Sequence, residues 1–218
     1  INYKNAWLKI YNVPIIYFPK FYHPDPTVKR QSGFLFPTIK SSNLYGQSIQ
    51  IPYFKVISDN KDLTVSPRIY FDNNILIQSE YRQANKNSNI ISDFSVQKND
   101  NTKTHLFSNI IKNFDNNAQV EFNFQKVSND TYLKLNDIES PLIKNNSKLY
   151  SYLNYKKNDE TYYFSSSIGI YEDLGKNKSD RYEYIYPQYN FYKEIENTDE
   201  NSKGNLTLTS DGYQKNYD

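Results

Sequence analysis

The sequence predicts an all-β protein, an antiparallel meander in which strand follows turn along most of the chain. Three observations carry that expectation. The 218 residues include 22 Tyr and 13 Phe, and aromatic residues fit a pleated surface better than a helix. Apolar side chains recur at alternate positions in stretch after stretch, which is the period of a strand. No run approaches the eighteen apolar residues of a membrane helix, and no helix of ten residues is legible. The strongly polar overall composition does not exclude a membrane barrel, whose strands need an apolar residue only at every second position.

Taken in order, Ile1 to Phe21 reads as two short strands, Trp7 to Tyr11 and Ile15 to Phe18, the second bracketed by Pro14 and Pro19. Prolines in sheets are confined to edges, ends and bulges. His23-Pro24-Asp25-Pro26 fits neither sheet nor helix, because each proline also restricts its predecessor. His23 to Val28 is therefore expected to be a linker. The clearest strand runs from Asp62 to Phe71. Leu63, Val65, Pro67, Ile69 and Phe71 share one face, while Asp62, Thr64, Ser66, Arg68 and Tyr70 share the other. Asp72-Asn73-Asn74 offers good turn chemistry, and Ile75 to Arg82 follows as a strand with Glu80 and Arg82 on one face. The alternation returns at Val120-Phe122-Phe124, Tyr162 to Ile170, Tyr182-Tyr184-Tyr186 and Leu206-Leu208. Short polar turns (Asn85 to Asn89, Lys98 to Lys103, Asp115 to Asn117) contrast with longer loops at Asn136 to Ser147, Gly175 to Asp180 and Glu196 to Gly204. Such asymmetry suits an outer-membrane barrel. From Lys29 on, about ten to twelve strands of about 8–12 residues are expected.

Chemistry is sparse. A net charge of +2 gives no concentrated basic face, so nucleic acid is not an expected partner. With no cysteine there are no disulfides, thiolate nucleophiles or Cys-based metal sites. The two histidines, His23 and His105, are too far apart in sequence to suggest a ligand pair. His105 is expected on a sheet surface at a strand start, and His23 in a solvated loop. Glu139 and Asp159-Glu160 look like solvated loop carboxylates, and six glycines form no phosphate loop. Neither an enzyme nor a bound cofactor is expected.

The ordered set Val13-Pro14, Tyr17, Pro19, Arg30, Ser32-Gly33-Phe34-Leu35, Pro37, Pro52-Tyr53, Asp62, Thr64, Pro67 and Glu80-Tyr81-Arg82 resembles the LptD family of lipopolysaccharide-assembly proteins in Gram-negative outer membranes. Beyond Arg82 the likeness thins to pattern, with Lys126-Val127-Ser128, Tyr132-Leu133 and Pro187-Gln188 among its traces. The resemblance implies that residues 1–27 end a periplasmic β-jellyroll and its linker. Residues 28–218 would then be the N-terminal strands of a large, incomplete outer-membrane β-barrel. It implies an internal piece of a longer exported chain. It also implies lipopolysaccharide as cargo, outer-membrane lipid as surroundings, a plug lipoprotein inside the barrel and a periplasmic bridge protein docking on the jellyroll. Relatives often tie jellyroll to barrel with disulfides, so the lack of cysteine is a departure. Pro37 and Pro52 lie inside the first two expected barrel strands, where each removes a ladder N–H. The likeness assigns that seam to lateral release of lipopolysaccharide, while the residues alone read equally well as strand ends or bulges. Asp62, Thr64, Ser66, Arg68, Glu80 and Arg82 are expected to form a polar lumen wall, with Leu63, Val65, Ile69 and Phe71 facing lipid. The alternative is a soluble or surface β-protein that uses its Tyr-rich faces for adhesion or carbohydrate binding.

Overall fold

The computed structural model describes residues 2–10, 12–22, 30–42, 45–71, 74–98, 101–195, 204 and 206–217. The expected linker at His23 to Val28 and almost all of the loop from Glu196 to Gly204 lie outside these residues, as do Asp72 and Asn73 of the expected turn. The architecture is all-β. β1 (Asn2–Ile10) and β2 (Val13–Tyr22) form an antiparallel hairpin with its own two-stranded sheet. Asn12 sits beside the turn at φ 67°, a left-handed conformation that Asn tolerates. Trp7 and Tyr17, paired across the strands, pack with ring centroids 4.8 Å apart.

All other strands join one antiparallel sheet of thirteen. They are β3 (Gly33–Phe34), β4 (Thr38–Ser42), β5 (Gly46–Gln50), β6 (Tyr53–Ser58), β7 (Lys61–Tyr70), β8 (Ile75–Asn85) and β9 (Ser88–Lys98). Then come β10 (Thr102–Asn113), β11 (Ala118–Val127), β12 (Lys148–Asn158), β13 (Tyr162–Asp173), β14 (Tyr182–Ile195) and β15 (Leu206–Tyr217). From β7 to β15 each strand pairs with its sequence neighbour, as a meander requires. These nine strands hold 10 to 14 residues, about 33–46 Å of extended chain at about 3.3 Å per residue. That is enough for a tilted crossing of a bilayer. Gly46 begins β5 at φ 69°, where a side chain would be strained. Gly169 admits the Tyr150 ring so closely that an added Cβ would sit 2.9 Å from it.

The first two expected barrel strands differ from the rest. Pro37 falls between β3 and β4, and Pro52 between β5 and β6, so each span is cut in two. β3 pairs with β6 and β4 with β5, while both β5 and β6 pair with β7. Counted as spans, the thirteen pieces make eleven, within the expected ten to twelve. β4 and β15 stand at the two ends of the strand order and, among the described residues, are not paired with each other, so the sheet formed by these residues is open.

The two faces of this sheet differ. One is bare: Ile39, Ile69, Phe71, Ile75, Ile77, Phe94, Leu106, Phe122, Leu153 and Ile168 are exposed on it or at its rim. The other is covered by the connection between β11 and β12, residues 128–147. This connection carries the only α-helix among the described residues, α1 (Tyr132–Leu135), a single turn. Tyr132, Leu133 and Ile138 of the connection pack with Tyr45, Tyr70, Leu76, Phe107, Val127, Leu149 and Leu174 to form the core. The expected loop from Asn136 to Ser147 therefore places Ile138 in the core and packs Leu142 and Ile143 against it.

Candidate functional site

Strand alternation places the polar half of β7 on the covered face. Cross-strand pairing then extends that row sideways: Asp62 opposes Arg82, Thr64 opposes Glu80, Ser66 opposes Gln78, and Arg68 opposes Leu76. Opposite charges directly across a ladder are favourable neighbours. Asp62, 2% exposed, accepts a 2.8 Å hydrogen bond from Arg82 Nε and also pairs with Arg30. Glu80 lies 3.4 Å from Arg82. Of the six residues expected on a polar wall, Thr64, Ser66, Arg68, Glu80 and Arg82 line one cleft of about 490 Å³, and Asp62 supports it from beneath. Leu35, Lys40, Gln50, Phe54, Gln78 and Glu139 complete the lining. Four cations (Arg30, Lys40, Arg68, Arg82) are matched by four carboxylates (Asp62, Glu80, Asp137, Glu139) in and around the cleft. The site is richly charged, with both signs interleaved, and the buried Asp93 adds a carboxylate that accepts from Gln78.

The cleft borders the broken strands. Leu35 N–H donates to the Pro52 carbonyl at 2.8 Å, and Ile51 N–H donates to the Pro67 carbonyl at 3.1 Å. In an antiparallel strand a residue's N and C=O point the same way. Pro52 and Pro67 therefore each turn a nitrogen without hydrogen toward the preceding span. Pro37 and Pro52 interrupt two successive spans, and Pro67, inside the unbroken β7, faces the break between β5 and β6. Pro67, which the sequence places in an ordinary later strand, belongs to the same weakened zone because its carbonyl holds Ile51.

The tip of the 128–147 connection forms the roof. Asn136 is 1% exposed and is held by three side chains from two strands, β7 and β9. Arg68 donates to its carbonyl, Tyr70 Oη lies 2.7 Å from its side-chain oxygen, and its Nδ2 donates to Gln97 Oε1 at 2.9 Å. The next residue, Asp137, has φ 46°, a left-handed conformation that Asp accepts more readily than most side chains. Its carboxylate receives Lys40 Nζ at 3.2 Å, and Glu139 receives the same ammonium at 2.8 Å. Gln78 donates to the Glu139 carbonyl at 2.9 Å. At the base of the connection, Arg181 grips Asp130 with two bonds of 2.9 and 2.7 Å and reaches Glu172 at 2.6 Å. The hydrogen bonds to Asp130 are the largest influence raising the Arg181 pKa.

His105 is a correction to the expected sheet-surface position: it is 1% exposed on the covered face. Its Nδ1 lies 2.6 Å from Ser95 Oγ, and Ser95 Oγ lies 2.6 Å from Tyr132 Oη. Its Nε2 is 3.2 Å from Asp93 Oδ1, within ion-pair reach but off the hydrogen-bond direction. A Ser, a His and an Asp thus meet, but the Ser95 hydroxyl is shared with Tyr132 and sealed under it. A nucleophile has to reach its substrate, so this trio serves as a clasp for the loop. The sequence signal was the alternation Asp93, Ser95, Gln97, which puts three polar residues on one face of β9. Among the described residues no group of three His, Cys, Asp or Glu could hold a metal ion. No helix among them is long and apolar enough to cross a membrane, which says nothing about crossing by strands.

No family model matches the chain. Curated relatives do. It is 36% identical over 84 residues to the LPS-assembly protein LptD of Pseudomonas syringae pv. syringae, a match covering 38% of this chain and 9% of that protein. It is 35% identical over 97 residues to LptD of Saccharophagus degradans, covering 44% and 11%. With LptD of Legionella pneumophila it shares 28% identity over 153 residues, covering 60% and 18%. The matched stretches span less than a fifth of these relatives. They bear out the resemblance to the LptD family read from the sequence.

Proposed function

We propose that this chain, similar in sequence to part of the LPS-assembly protein LptD, is the junction and first barrel strands of a protein that inserts lipopolysaccharide into the outer leaflet of the outer membrane. The supporting observation is one juxtaposition. A sheet with a bare apolar face carries a charged cleft on its other face, beside two spans cut by Pro37 and Pro52. In this reading the bare face meets lipid and the covered face lines the lumen. Backbone inside a bilayer has to be paired within the protein, so a closed barrel releases nothing large sideways except where pairing is weak. The interrupted first spans, meeting the last strand of the complete barrel, form that weak seam. The phosphorylated, sugar-bearing end of the lipid moves along the polar wall of Asp62, Thr64, Ser66, Arg68, Glu80 and Arg82, while its acyl chains leave through the seam. Residues 1–27 end the periplasmic jellyroll on which a bridge protein docks, and a plug lipoprotein fills the rest of the lumen.

Restoring the missing N–H groups tests the seam. A ladder hydrogen bond contributes about 0.5–1.5 kcal/mol net, so two shift an opening equilibrium by about one to two factors of ten. Pro37→Ala with Pro52→Ala in the full-length protein is expected to leave assembly intact and slow lipopolysaccharide delivery, compared at equal protein levels in the outer membrane. Pro187, within β14 at the register shift opposite β15, is the control proline. Pro67 is unsuitable because of its place in the same zone. Wild-type delivery by the double variant would show that the two prolines only punctuate strands.

A further inference from the structure

Lys40 ties the connection 128–147 to the edge strand of the sheet by an ion pair, beside the apolar packing of Tyr45 at the β4–β5 turn. It lies on β4, which ends the strand order and follows Pro37 by three residues. Its side chain is only 19% exposed, although Asp137 and Glu139, which hold it, are 65% and 78% exposed. The remaining anchors of the same tip lie deeper in the sheet: Arg68 and Tyr70 on β7, Gln78 on β8, and Gln97 on β9. The contacts therefore differ in kind. Asn136 is fixed by buried hydrogen bonds to strands inside the sheet. The edge strand is fixed by an exposed ion pair, which holds weakly and is exchangeable. The left-handed Asp137 turns its carboxylate toward Lys40 while its neighbour stays buried.

From this arrangement we infer that the 136–139 tip is a latch on the first strand, and that an anionic phosphoryl group in the cleft releases it by taking Lys40 from Asp137 and Glu139. The inference rests on the proposed lipopolysaccharide path and names the residue by which cargo opens the seam. Lys40 lines the cleft together with Arg68 and Arg82, so a phosphate there meets the ammonium directly. The phosphate's negative charge takes the place of the two carboxylates beside Lys40, and the edge strand loses this ion-pair tie to the roof. An ammonium suits this exchange because it acts as a compact point charge with rotatable donors.

The latch is read in the full-length protein reconstituted in lipid nanodiscs, with spin labels at Ser41 on β4 and Lys144 in the connection. Lys40→Glu is expected to lower the population at the short label distance about twofold to fivefold, the range for an exposed ion-pair network. The reversed set Lys40→Glu, Asp137→Lys, Glu139→Lys is expected to restore it. Phosphorylated lipopolysaccharide added to the wild type is expected to act as Lys40→Glu does, and dephosphorylated lipopolysaccharide to leave the distance unchanged. An unaltered distance in Lys40→Glu, no rescue by the reversed set, or equal effects of the two lipids would overturn the latch. None of these readings needs transport, so they stand apart from the proline experiment. Normal delivery by the proline variant with an intact Lys40 effect removes the seam and keeps the latch.

Discussion

Tyr132 closes the buried network that joins the 128–147 connection to the sheet. Its hydroxyl meets Ser95, which in turn meets His105, and its ring is completely buried. Burial pushes its phenol from the usual value of 10.0 up to about 12, against a smaller lowering effect of the Ser95 hydrogen bond. A raised phenol pKa means that the folded protein keeps its proton where the released loop would lose it. Below about pH 10 both states are protonated and the contribution is intact. Between about 10 and 12 the released state binds fewer protons, so stability falls as pH rises. A spin label at position 144 is expected to show constant mobility from pH 7 to about 10 and a rise from about 10 to 12. Tyr132→Phe removes the Ser95 bond, so it is expected to be looser at neutral pH and to lack that rise. Its difference from wild type separates Tyr132 from the other tyrosines, and superimposable pH curves would contradict the assignment.

At the scale of the element, β7 shows how much is legible in the sequence. Its period of two places Asp62, Thr64, Ser66 and Arg68 together, and the structure sets Thr64, Ser66 and Arg68 in one cleft above Asp62. A one-residue shift would move every side chain to the other face, so the alternation alone fixes which residues share a wall. The roof is not legible in the same way. Asn, Asp, Lys and Ser dominate residues 136–147 and read as solvated loop, because local pattern does not reveal which partner satisfies a polar group. The apolar residues Tyr132, Leu133, Leu135, Ile138, Leu142 and Ile143 are the missed signal: so many in one connection need a surface to cover. His105 is not legible for a related reason, since α1, which covers its face of the sheet through Tyr132 and Ser95, comes from beyond the next strand. The breaks at Pro37 and Pro52 were half legible: the lost donor was evident, but the complete division of each span follows from how β5 and β6 share β7. Sidedness carries its own prediction. Arginine facing lipid near the midplane costs about 2–4 kcal/mol, so Val65→Arg is expected to reduce the amount assembled in the outer membrane well below that of Ser66→Arg. Equal amounts would contradict the assignment of faces.

At the scale of the whole molecule, the thirteen-stranded sheet ends on β4 and β15, which among the described residues are not paired with each other. Open edges invite pairing with other chains; in the proposed function they are answered by the rest of a barrel, and the relatives are many times longer than the matched stretches. In that reading the apolar bare face, the charged cleft and the roof tied to the edge strand are parts of one device, with lipid outside and cargo within. The most direct measurement of that claim places a photoreactive side chain at Ser66, in the cleft, and at Val65, one residue away on the opposite face, in the full-length protein in cells. Illumination during synthesis of new lipopolysaccharide is expected to join Ser66 to lipopolysaccharide in transit, and to stop doing so when transport is halted. At Val65 it is expected to capture membrane lipid whether or not transport runs. Capture of transported lipopolysaccharide at Val65 but not at Ser66, or identical products at both positions, would contradict the account.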